Sequence, residues 1–132
     1  MAGKFSDYLN NALLSHVFGS TPYTKPANLY VGLMTTRGSG SSSGTEIVGN
    51  GYARQSIVFA QDEEPLGSID NASAVAFPPA SGGPWGTITD FAVFDAITGG
   101  NMLVYGTLVE AKLIKTGDRI EFLAGALVIT LA

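Results

Sequence analysis

Residues Pro84–Tyr105 read PWGTITDFAVFDAITGGNMLVY, and the fold class turns on them. Thr87–Phe94 is rich in β-branched and aromatic residues, which pack well on a pleated surface. Met102–Tyr105 is a second apolar run. Between the two, Asp95–Asn101 contains Thr98, Gly99 and Gly100. Strand-like runs on either side of a short Gly-containing loop predict a β-hairpin. Asp95 is suited to start the turn, because its carboxylate accepts bonds from backbone N–H groups further on. The alternation slips within the first run: Ile88 belongs to one face, Phe91 and Val93 to the other. A bulge near Asp90 is therefore expected. Trp85, the only tryptophan, stands behind Gly82-Gly83-Pro84 and reads as a plug at one end of a core.

Upstream of the hairpin, residues 6–18 predict the one helix. Ser6 caps it, and Asp7 suits its positive N-terminal end. Phe5, Tyr8, Leu9, Ala12, Leu13 and Val17 make an apolar stripe at helical spacing, and Leu14 and Phe18 lie away from it. Gly19 and Pro22 end the helix. Residues 28–35 predict a strand with apolar side chains on both faces, so it is expected to be covered on both sides. Residues 37–51 form a long loop around GSGSSSG, a composition flexible by nature. Within it, Glu46-Ile47-Val48 is expected to pair briefly. Residues 52–60 predict another strand, with Arg54 and Gln55 near an edge or a partner. Downstream come an acidic break at 61–66, a short strand at 72–77, and strands at 108–113, 119–123 and 127–131. One helix and seven or eight short strands predict an all-β chain: an antiparallel β-sandwich or jelly roll, as a single domain over 1–132.

The charged fraction is 14%, against the ~25% of an average domain. A surface so poor in charge predicts burial against other subunits. The net charge is −4, and the seven Lys and Arg form no basic stripe, which argues against nucleic acid. No apolar run approaches the ~20 residues of a membrane span. The start, MAGKFSDYLN, lacks the continuous apolar core of a signal peptide.

Catalytic chemistry is not visible. The absence of cysteine excludes disulfides, thiolate metal sites and cysteine nucleophiles. His16 is the only histidine and falls in the last turn of the helix, a structural place. Asp62-Glu63-Glu64 lacks the ligand spacing of a calcium loop. Asp90 and Asp95 are better explained by the bulge and the turn than as paired acids. GSGSSSG lacks the Lys-Ser/Thr ending of a phosphate loop. No catalytic residue, cofactor or metal is expected.

Several elements together carry a resemblance. They are ANLYVGLMTT at Ala27–Thr36, GNGYAR at Gly49–Arg54, NASAVAFPPASGGPWGTITDFAVFDAITGGNMLVYGTL at Asn71–Leu108, and TGDRIEFLAGALVITLA at Thr116–Ala132. In this order they resemble a family of small structural proteins of tailed bacteriophages, described as tail-fibre-like or virion structural proteins. The resemblance implies a non-catalytic component of the virion, assembled in the bacterial host cytoplasm.

The leading expectation is a capsid decoration, or cement, protein: a homotrimer bracing the lattice of the major capsid protein. A tail or tail-fibre component is the second reading. A carbohydrate-binding module using Trp85 and nearby tyrosines is the third, and a buried Trp85 excludes it. The residues expected to meet partners are Leu14 and Phe18 on the helix, Arg37 in the loop, and Tyr52 and Arg54 after it.

Overall fold

The computed structural model describes residues 2–61 and 67–130; the acidic run Asp62–Glu64 lies outside them. The elements in chain order are β1 (Ala2–Phe5), α1 (Asp7–Val17), β2 (Leu29–Met34), β3 (Gln55–Ile57), β4 (Phe59–Gln61) and β5 (Ser68–Asn71). They continue with β6 (Val75–Ala76), β7 (Gly86–Phe94), β8 (Met102–Ile114), β9 (Glu121–Phe122) and β10 (Val128–Thr130).

Eight strands form one sheet in the order β3-β2-β7-β8-β1-β10-β5-β4, and β6 and β9 form a separate ribbon. Every pairing is antiparallel except β1 with β10. The two outermost strands, β3 and β4, are separated in the chain only by Val58. The sheet therefore curls until its edges are joined through the backbone, and the result is nearly a barrel. No ladder joins β3 to β4, so both remain edge strands, and each is only three residues long, which limits the edge it offers to another chain. The all-β reading with one short helix holds, in a form where a single sheet supplies both walls.

The expected hairpin is the centre of the sheet. Asp95 Oδ1 accepts from the Asn101 N–H at 2.7 Å and Oδ2 from Asn101 Nδ2 at 3.1 Å, closing the turn between β7 and β8. The irregularity near Asp90 is present: Ile88 pairs with Lys112 and Asp90 with Thr107. The surplus residues, 108–111, belong to β8. Residues 102–114 are thus one long strand rather than two.

β2 is covered on both faces, as its composition requires. Val31 and Leu33 join the main core with Ile88, Phe91, Val93 and Leu127. Met34 joins Ala92 and Phe94 in a second cluster on the opposite side. Complete burial of such side chains contributes roughly 1.5–3 kcal/mol each. The ribbon adds Val75 and Phe122 to the main core, and Phe77 and Ile120 beside it do the same.

Three expectations change. The strand expected at 52–60 breaks at Val58, whose carbonyl accepts from the Ala72 N–H at 2.8 Å as the chain passes from one edge to the other. The strand expected at 72–77 shrinks to β6, while β5 forms just upstream. Asn71 is the reason. It is buried, it donates from Nδ2 to the Ser73 and Leu123 carbonyls, and its Oδ1 accepts from the Leu127 N–H. β1, not foreseen, inserts between β8 and β10.

Candidate functional site

The elements carrying the phage resemblance converge in space. Gly49, Asn50 and Gly51 all have positive φ, at 77°, 54° and 80°. This tight left-handed turn aims the Asn50 carbonyl at Trp85, whose indole Nε1 donates to it at 2.9 Å. Asn50 Nδ2 donates in turn to the Pro84 carbonyl at 3.0 Å. Trp85 is buried and meets Tyr52 edge-on at 5.5 Å and Phe77 at 6.4 Å. Tyr52 stacks on Phe77. Trp85 is therefore a core anchor, and the carbohydrate reading built on it is excluded.

Two residues further on, Arg54 organises a second set of contacts. Its Nε and Nη2 bond the two oxygens of Glu46 at 2.9 and 2.8 Å. Its Nη1 donates to the carbonyls of Ala96 and Gly99 at 2.9 and 2.8 Å. The guanidinium lies over the Phe94 ring, 3.5 Å from its centroid. The Tyr52 hydroxyl donates to Glu46 Oε2 at 2.6 Å and accepts from the Leu33 N–H. Gly32 makes room for the network, since a Cβ there would stand 2.7 Å from Glu46 Oε2. The arrangement ties the end of the long loop to β2 and to the β7–β8 turn. Chemically it is a clamp: the carboxylate is neutralised and the guanidinium is committed.

Burial, and then the hydrogen bond to Glu46, push the Tyr52 hydroxyl far above the ordinary phenol range. A raised folded pKa means that the neutral phenol stabilises the fold at pH below the unfolded value, near 10. That contribution is lost as pH climbs above it, because only the unfolded chain ionises there. Tyr52→Phe also strips the Leu33 N–H of its acceptor, a loss of about 1–3 kcal/mol. We expect Tyr52→Phe to be less stable at neutral pH, with the gap to the wild type narrowing above pH ~10. Urea midpoints measured across that range check this; a constant gap counts against the assigned bond.

The residues expected to meet partners fall into two groups. Tyr52 and Arg54 are half-buried and engaged within the chain. Leu14 and Phe18 stand on α1 at 59% and 83% exposure, and Arg37 is exposed at the rim of a cleft shared with Lys4 and Tyr105. Ser6 caps α1 by accepting from the Leu9 N–H, and its hydroxyl donates to the Met102 carbonyl, so the helix is seated on β8. The Gly/Ser stretch is not a free arm. Ser39 and Ser42 bond across a tight turn, and the Gly40 carbonyl accepts from the Asp7 N–H at the start of α1.

The candidates for chemistry are placed in structural roles. His16 Nδ1 accepts from the Tyr23 N–H at 3.0 Å, holding the connector against the helix end. Asp90 is buried and accepts from the Thr107 hydroxyl at 2.9 Å, and Asp95 closes the turn. Among the described residues no group of three or more His, Asp or Glu is arranged to hold a metal, and no helix is long and apolar enough to cross a membrane.

No curated protein matches the sequence. A family model described as podophage GP4 fiber I protein gp80 matches residues 4–130, a span that takes in Trp85, the Arg54 clamp and α1. The chain belongs to this family of podophage fibre proteins, and it is a phage virion structural protein.

Proposed function

We propose that the chain is a non-catalytic building block of a phage tail fibre, rather than a cement protein of the capsid. The observation that carries this reading is the family match to a podophage fibre protein over residues 4–130. The fold supports it. A strongly curled sheet, with the β7–β8 turn clamped by Arg54 and the core anchored by Trp85, suits a rigid module that bears load without chemistry.

The contact with neighbouring subunits is assigned to the outer side of α1. Leu14, Val17 and Phe18 form an exposed apolar tip, and no residue of the helix is fully buried. The occupant is another copy of this chain, in a homotrimer. So small a charged fraction, 14%, fits a surface shared among copies. Cryo-electron microscopy of virions carrying a tagged chain tests the location. Density for the tag on tail fibres is expected; density across the capsid lattice restores the cement reading.

The contact itself is checked by Leu14→Asp with Phe18→Asp. Both side chains are largely in solvent within one chain, so stability in the dissociated state should change by no more than ~0.5 kcal/mol per site. Light scattering should show the oligomer lost, and particles should carry less of the variant. A folded variant that still assembles would move the contact elsewhere, first to Arg37 and its cleft.

A further inference from the structure

β8 outruns its neighbours. It continues unbroken to Ile114, yet β1 accompanies it only at Val104, Tyr105 and Gly106. β7 parts from it between Thr107 and Lys112, so residues 108–111 have no ladder partner on either side among the described residues. Residues 109–113 are all exposed. A strand on a core hides one face, and here both faces meet solvent. Val109 is 80% exposed and Leu113 56%. Between them, Glu110 and Lys112 form a salt bridge of 3.4 Å that is itself in solvent. An extended segment without a ladder partner is a template for a strand of another chain.

We propose that residues 108–114 pair with the same residues of a second copy, antiparallel, across a two-fold axis through Ala111. The segment reads LVEAKLI and is self-complementary about that residue. Ala111 faces its own copy, Glu110 faces Lys112, Val109 faces Leu113, and Leu108 faces Ile114. Two opposite-charge pairs and two apolar pairs result, the combinations that stabilise facing strands. The register is specific. Moving the axis by one residue sets Glu110 against Glu110, or Lys112 against Lys112, and like charges directly opposite oppose pairing. Edges guarded against association carry proline or charges that repel a copy; this one has no proline, and its two charges attract one. Three copies cannot pair off among themselves, so the contact joins one trimer to another rather than closing the trimer. It is separate from the contact through α1 and does not depend on it. A lone pair of strands is marginal in water, so the pairing builds up where copies are already held close.

The test is disulfide trapping in concentrated solution. The chain has no cysteine, so one introduced thiol reports alone. Facing residues of an antiparallel pair lie about 4.5–5.5 Å apart at Cα, within the roughly 4.4–6.8 Å that a disulfide spans. Ala111→Cys, at an exposed position, should link two copies on mild oxidation. The rate should exceed that of Thr116→Cys, an exposed comparator off the axis, about tenfold. Val109→Cys mixed with Leu113→Cys should link, and neither alone should. Adding Glu110→Lys to the Ala111→Cys chain, or adding Lys112→Glu, should slow linkage to the comparator's rate. Mixing those two chains should restore it, because each then meets the opposite charge. The salt bridge within a chain cannot account for that recovery, since both variants lose it. Leu14→Asp and Phe18→Asp are added throughout, so a contact through α1 does not contribute. Linkage no faster than that of Thr116→Cys, or indifferent to the charge swaps, overturns the proposal. So does a photo-crosslinker on the same thiol in virions if it captures a different protein instead of a second copy.

Discussion

Trp85→Ala is expected to lose about 3–5 kcal/mol of stability, the range for removing a buried aromatic side chain. Against a total of ~5–15 kcal/mol for a small domain, that leaves the chain marginal or unfolded at room temperature. The loss has three parts. The indole is buried among Tyr52 and Phe77, so truncation leaves a cavity between β7, the ribbon side of the core and the GNG turn. The Asn50 carbonyl loses its donor. Asn50 itself holds a positive φ of 54°, a conformation that depends on its neighbours for support. Trp85→Phe separates these parts, since it keeps most of the packing and deletes the donor. It should lose roughly 1–3 kcal/mol, mainly for the unpaired carbonyl. Urea denaturation followed by far-ultraviolet circular dichroism measures both. A loss below ~1 kcal/mol for Trp85→Ala would show that the anchor is replaceable.

The hairpin, the helix and the two-faced β2 were legible because each is specified locally. Asp95, Gly99 and Gly100 define the turn, Ser6 and Pro22 bracket the helix, and Val31, Leu33 and Met34 alternate across a strand. β1 was not legible. Its sequence, Ala2-Gly3-Lys4-Phe5, has little β-propensity, and its partners β8 and β10 lie near the other end of the chain. Gly3 is required there by packing: a Cβ would approach Val104 Cγ1 to 2.5 Å. β5 was hidden for a related reason. Its register depends on the buried amide of Asn71, and a lone Asn among small residues reads as a turn. The break at Val58 cannot be seen in a run of apolar residues, because it arises where the chain passes from one edge of the sheet to the other.

The candidate surfaces divide in the same way. Leu14 and Phe18 were visible as residues off the apolar stripe of a helix, a matter of periodicity alone. Arg54, ahead of an apolar run, reads from sequence as a residue near an edge or a partner, whereas the structure commits it within the chain. Two signals pointed inward: Glu46, of opposite charge on the other side of the Gly49–Gly51 turn, and Gly32 in the middle of a strong strand, which marks a close approach. The cleft lined by Tyr8, Tyr23, Tyr30 and Asp95 draws on the helix, the connector, β2 and the β7–β8 turn, so no window of sequence contains it.

Arg54→Ala is expected to lose about 3 kcal/mol, the low end of the range for breaking a buried ion pair. The guanidinium side chain is 8% exposed and the Glu46 carboxylate 23%, so solvent reaches the partner left behind and moderates the loss. Two turn carbonyls, Ala96 and Gly99, also lose their donor, and Phe94 loses the cation above its ring. Arg54→Lys should rescue little, because an ammonium cannot bridge both carboxylate oxygens and two carbonyls from one plane. A double-mutant cycle with Glu46→Gln isolates the pair, and hydrogen exchange locates the damage. Amides of Ala96–Asn101 should open in the Arg54 variants, while β1 and β10 stay protected. Full stability in Arg54→Lys would mean that charge alone, not the fork geometry, holds the turn in place.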